Sequence, residues 1–94
     1  MKIKFEESAS KGMFFVEENG EKLARMTFSK AGDNLIIIDH TEVSDVLRGK
    51  NVGKQLVAAA VDHARKNYLK ILPLCPFAKA VFGKVQEYQD VLSY

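Results

Sequence analysis

The sequence predicts an α+β fold, a sheet with helices packed on it. Three observations carry that prediction. Residues 2–43 open on an alternating segment, continue as short apolar runs separated by turn residues, and contain an Asn-Gly dipeptide. From Val52 the apolar spacing changes to a helical period, and Pro76 then opens a second helical stretch after a short apolar run.

Residues 2–7 alternate Lys, Ile, Lys, Phe and Glu, the period of a half-buried strand. Gly12 opens the next run, Met13-Phe14-Phe15-Val16, which Glu17 and Glu18 close. Asn19-Gly20 follows, a strong hairpin signal because both central turn positions need positive φ. The return strand runs from about Glu21 to Ser29, with Leu23 and Met26 among its apolar members. Ala31-Gly32-Asp33-Asn34 makes the next turn. Leu35 to Ile38 reads as a central strand covered on both faces and continues through Asp39-His40-Thr41-Glu42-Val43. These segments form a four-stranded antiparallel meander.

From Val52 to about Asn67, Leu56, Val57, Ala60, Val61 and Ala64 make one apolar helical stripe. Lys54, Gln55, Asp62, Arg65 and Lys66 suit the solvated side, and Asn67 suits a left-handed residue closing the helix. Lys70-Ile71-Leu72-Pro73-Leu74 is a short strand, where Pro73, lacking an N–H, implies a sheet edge or a splayed position. Pro76 fits the first position of another helix with Cys75 as its N-cap, and Ala78, Val81, Phe82 and Val85 give it an apolar side. The tail, Gln86 to Tyr94, includes a short last strand around Asp90-Val91-Leu92.

Length and composition bound the rest. The 94 residues make one domain, 1–94, with 47% hydrophobic and 28% charged residues, which excludes disorder. Fourteen Lys and Arg against twelve Asp and Glu give +2, a balance that demands neither nucleic acid nor an anionic membrane. The longest apolar run, Leu56 to Val61, is too short to span a bilayer. The alternating, acidic N-terminus is unlike a signal peptide, and a lone cysteine forms no internal disulfide, so the cytoplasm is the expected compartment. No His, Cys or carboxylate cluster has metal-ligand spacing, so no metal is expected.

The most informative stretch is Arg48-Gly49-Lys50-Asn51-Val52-Gly53-Lys54, between an apolar strand and an amphipathic helix. Such a unit aims unpaired backbone N–H groups and a helix dipole at one spot, a setting for phosphate. A basic turn with Gly for backbone freedom explains the same residues. A Walker A loop fits poorly: only three residues separate Gly49 from Gly53, and Gln55 stands where Ser or Thr is needed. A dinucleotide fingerprint fits no better.

With its flanking strand and helix, the loop resembles the acetyl-coenzyme-A loop of the GNAT acetyltransferase superfamily. That pattern is Gln or Arg, two residues, Gly, one residue, then Gly or Ala. Arg48, Val52 and Gly53 fit it, while Asn51 replaces the first Gly; Asn tolerates the left-handed conformation. His40-Thr41-Glu42-Val43 and Pro73-Leu74-Cys75-Pro76-Phe77 resemble two segments of a small subfamily of minimal GNAT-like proteins, over about Leu35 to Leu92.

The resemblance implies an acetyl-coenzyme-A-binding protein that passes acetyl to an unassigned amine. The backbone from Asn51 through Val52 and Gly53 to Lys54 would hold the pyrophosphate, with Arg48, Gly49 and Lys50 beside it. The main chain at Glu42 and Val43 would pair with the pantetheine arm. The thioester would lie where the fourth strand and the Ile71–Leu74 strand splay apart, near Cys75, Pro76, Phe77 and Phe82. Cys75 is a candidate acyl acceptor, since a helix N-terminus favours a thiolate; it is equally a small buried apolar residue. His40 is the candidate base, with Glu42 two residues along on the same face, or both are ordinary solvated strand residues. Phe82 stands where many family members place a proton-donating Tyr, and Tyr88 is near in sequence. The chain also has no room for the helix pair that builds one wall of the acceptor groove, so that side is expected to be open, or completed by another chain or a partner. A monomer or weak dimer is expected. A non-catalytic acyl-coenzyme-A-binding or sensing module is the alternative.

Overall fold

A computed structural model describes residues 2–93. Four strands, β1 (Lys4–Glu7), β2 (Lys11–Glu18), β3 (Glu21–Ala31) and β4 (Leu35–Val43), pair antiparallel in chain order. A 3-10 turn (Asp45–Leu47) and the loop after it lead into α1 (Val52–Asn67). The chain then adds β5 (Lys70–Pro73), parallel to β4 at the sheet edge, α2 (Pro76–Lys84), and a 3-10 segment (Gln86–Val91). The α+β order expected from the sequence holds.

The Asn19-Gly20 turn forms as its residue types require, with φ of 52° and 80°. Several boundaries differ from the sequence reading. β1 starts at Lys4, β3 runs two residues further to Ala31, and β5 stops at Pro73. The left-handed residue closing α1 is Tyr68 (φ 57°), whose N–H donates to the Ala64 carbonyl. Asn67 remains helical, and its amide donates instead to the His63 carbonyl at 2.9 Å. The expected last strand shrinks to a single bridge, Ile71 to Leu92, because the preceding residues coil into the 3-10 segment; Tyr94 lies outside the described residues. Arg65 holds that segment to α1, its guanidinium donating to both Asp90 carboxylate oxygens and to the Glu87 carbonyl.

Both helices pack on one face of the sheet. The core joins Phe14, Val16, Ala24, Met26, Phe28, Ile36, Ile38 and Ile71 to the apolar stripe of α1 and to Ala78 and Phe82 of α2. Every stripe residue read from the sequence is at most 1% exposed. At the β1 end, Phe5, Phe14 and Phe28 gather around the His63 ring, with centroids 4.7–6.3 Å from it. Phe28 lies so close over Gly12 that a Cβ there would approach its ring to 2.2 Å.

Candidate active site

The β4–β5 ladder runs only from Leu35/Lys70 to Ile38/Pro73. At its end the N–H groups of Leu74 and Cys75 both donate to the Ile38 carbonyl, at 3.1 and 3.2 Å, and β5 turns away into α2. β4 continues through Asp39–Val43 paired to β3 alone, so a notch opens between the two strands. Pro73 explains part of this, since it has no N–H to extend the ladder.

A bulge in β4 sorts the side chains around that notch. Phe28 pairs with Ile38 and Thr27 with His40, which leaves Asp39 as an extra residue. Cross-strand partners point to the same face. Thr41, opposite the fully buried Met26, therefore faces the helices, whereas His40 and Glu42, opposite Thr27 and Arg25, face the open side. The two make an exposed pair, His40 Nε2 to Glu42 Oε1 at 3.2 Å. Cys75, 5% exposed, lies on the helix side, where its thiol donates to Thr41 Oγ1 at 3.2 Å. The three candidate catalytic residues thus border one notch from opposite faces. Sequence reading had no signal for Thr41, because an unbulged strand gives it no reason to meet Cys75.

The loop after β4 has the conformation its residues predict. Asn51 is left-handed at φ 56°, and Gly49 has φ 83°. Among the described residues, the N–H groups of Asn51, Val52, Gly53 and Lys54 donate to no backbone carbonyl, so four donors stand unpaired at the positive end of α1. Lys50 and Lys54 are exposed and make no ion pair among these residues, whereas Arg48 is held by Asp45 at 2.9 Å. The Val52 side chain is in the core, which leaves only its backbone available to a ligand.

Gly53 serves packing: a Cβ there would lie 2.6 Å from Phe77 Cζ. The first turns of α1 and α2 therefore meet face to face beside the notch, with Pro76 in the first position of α2 and Cys75 as its N-cap. Cys75 makes no side-chain capping bond, its thiol being turned to Thr41. Of the six exposed large apolar side chains among the described residues, Val43, Val46, Leu74 and Phe77 belong to segments bordering the notch and loop, a patch suited to an apolar chain. Phe82 is in the core, 1% exposed, with the Tyr88 ring edge-on at 5.8 Å. Among the described residues, no group of three or more His, Cys, Asp and Glu could hold a metal, and no helix is long and apolar enough to cross a membrane.

The sequence model of the GCN5-related N-acetyl-transferases covers residues 13–91. The chain belongs to that family. A GCN5-like protein from Staphylococcus aureus, solved by NMR, is 43% identical with a TM-score of 0.71, over 96% of this chain and 87% of that one. Protein NATD1 of Mus musculus is 31% identical over 74 residues, 78% of this chain and 67% of its own length. The fold extends to distant structures. A ribosomal-protein-alanine N-acetyltransferase from Brucella melitensis matches at 17% identity and TM-score 0.68, over 83% of this chain and 62% of that one. The aminoglycoside N-acetyltransferase AAC(6')-Iy in complex with CoA matches at 14% and 0.58, over 93% and 76%.

Proposed function

We propose that this protein binds acetyl-coenzyme A in the β4–β5 notch and transfers its acetyl group to an amine that approaches from the helix-free face. The observation carrying this reading is the parting of the strands at Ile38 together with the four unpaired N–H donors of residues 51–54. Those donors fit a pyrophosphate, and the unpaired edge of Asp39–Val43 fits the amide-bearing pantetheine arm as an added strand. Bound there, acetyl-coenzyme A supplies an activated thioester. The chain's own residues then have distinct tasks. His40, paired with Glu42 on the open face, takes the proton of the incoming amine. The C–N bond forms as the thioester C–S bond breaks, and coenzyme A leaves as a thiolate that takes up a proton from solvent while His40 returns its own to solvent. Backbone N–H groups at the notch polarise the acyl carbonyl. Cys75, buried on the opposite side against Thr41, lies away from that base and shapes the inner wall, which favours direct attack by the amine over an acyl-cysteine route.

Steady-state transfer to a panel of primary amines tests this. His40→Ala/Glu42→Ala should lower kcat by about 100-fold while the KM for acetyl-coenzyme A stays unchanged. Cys75→Ala should keep at least a third of wild-type turnover. The second reading, an acyl-coenzyme-A-binding module without turnover, draws on Phe82, a buried ring that offers no hydroxyl as proton donor. Cofactor binding without transfer to any amine would establish it over the first.

A further inference from the structure

The hydrogen bond between Cys75 and Thr41 closes the inner side of the notch. Resting on the transfer reading above, we propose that this pair sets the length of the acyl group, so that a two-carbon acyl donor is taken and three- and four-carbon donors are refused.

The pair joins two strands after their ladder has ended. Ile38 and Pro73 are the last laddered residues of β4 and β5, and Thr41 and Cys75 both lie beyond them. The Cys75 thiol nevertheless reaches Thr41 Oγ1 at 3.2 Å on the helix side. Both ends of this bridge are fixed. The Cys75 N–H donates to the Ile38 carbonyl at 3.2 Å, and the Cys75 carbonyl accepts from the Lys79 N–H at 2.9 Å inside α2. Thr41 is held by its pairing with the fully buried Met26. Cys75 belongs to the same core as Ile38, Met26, Ala78 and Phe82, all fully buried, so this side of the notch backs onto packed side chains. A carbon added there must displace one of them, which a close-packed interior resists.

Thr41 is the middle residue of the unpaired Asp39–Val43 edge, so an acyl group delivered to that edge meets the pair on its inner side. The outer side carries His40 and Glu42 and is the path of the amine. A longer acyl chain has only these two directions, against the bridge or across the amine's approach, and either lowers transfer. The acyl group is thus measured by Cys75 and Thr41, on the face away from the base.

The experiment uses the full chain with acetyl-, propionyl- and butyryl-coenzyme A. Binding is measured by calorimetry and transfer by steady-state kinetics on the amine panel; where no amine is turned over, the binding ratio decides. One surplus methylene in a closed slot costs about 10-fold or more, so propionyl-coenzyme A should fall at least that far below acetyl-coenzyme A. Cys75→Ala removes the sulfur and makes room for one carbon, which should bring propionyl to within about 3-fold of acetyl while butyryl stays behind. Cys75→Ser, similar in size and able to donate the same hydrogen bond, should keep the wild-type preference. Thr41→Val keeps the shape without the acceptor and should relax the preference in part. A merely structural role would weaken all three donors together and leave their ratio unmoved. Equal use of the three donors by the wild type, or an unchanged ratio in Cys75→Ala, overturns the proposal, while acetyl-coenzyme A binding in the notch leaves the parent reading intact. Failure of acetyl-coenzyme A to bind overturns the parent reading and this one with it.

Discussion

Substituting Gly53 by alanine separates two reasons for a glycine at the start of α1. If it were there only to let a ligand approach, alanine would stabilise the free protein, since a helical Gly costs up to about 1 kcal/mol relative to Ala. The structure opposes this. The new methyl would meet Phe77 at 2.6, 2.8 and 3.4 Å, where carbon pairs prefer about 3.5–4.0 Å, so the ring must retreat by about 1 Å. Overpacking of this kind costs about 1–3 kcal/mol, and Phe77, 40% exposed, can yield part of the way, which puts the cost at about 2 kcal/mol. Net of helix propensity, Gly53→Ala should destabilise by about 1 kcal/mol, a fall in Tm of about 4–8 °C for a chain of this size. In a Phe77→Ala background the sign should reverse, with alanine stabilising by up to about 1 kcal/mol. Far-UV circular dichroism during urea and thermal unfolding measures both arms, the chain having no Trp. Stabilisation by Gly53→Ala in the wild-type background, or additivity of the two substitutions, would refute the packing argument.

Further outcomes follow from the backbone and from one titrating group. Tyr68 closes α1 at φ 57° with an 89% exposed side chain, so Tyr68→Gly should stabilise by about 0.5–1 kcal/mol in urea unfolding, left-handed strain being relieved against a small entropic cost. Asn51, also left-handed and without a side-chain cap bond, should accept Gly within about 0.5 kcal/mol, whereas Asn51→Val should cost about 1–2 kcal/mol. Burial holds His63 below its usual value; the neighbouring Lys30 acts in the same direction, while Glu7 and Asp62 oppose it. The folded state thus binds this proton less readily than the unfolded chain. Its contribution to stability is complete above the unfolded value of 6.5 and is lost as pH falls through the folded one. Between about pH 7.5 and 5 the wild type should lose stability more steeply than His63→Gln, and parallel pH profiles would contradict that assignment.

Local signals in the sequence were strong where one period ruled. The α1 stripe from Leu56 to Ala64 and the Asn19-Gly20 turn were legible because helix burial and positive φ each demand a narrow set of residues. Asn51 was legible for the same reason. The β4 bulge was not: an added residue breaks the alternation without leaving a compositional mark, so the face carrying Thr41 could not be read beyond Ile38. The Gly53–Phe77 approach depends on how two helices meet, a distance that no local pattern encodes. At the end of α1, Asn67 and Tyr68 competed for the left-handed position, and the chain reversal toward β5 placed the larger residue there against its own preference. For Phe82, core packing, one of the two roles open from the sequence, is where the structure puts the ring.

The central claim is that acetyl-coenzyme A occupies the notch and the loop beyond it. Titrating uniformly labelled protein with acetyl-coenzyme A while following every backbone amide tests it directly. The account predicts shifts concentrated at Glu42–Val43, at Asn51–Lys54 and at Cys75–Phe77, with little change in the Asn19-Gly20 turn. Saturating acetyl-coenzyme A that leaves those three segments unmoved would contradict it.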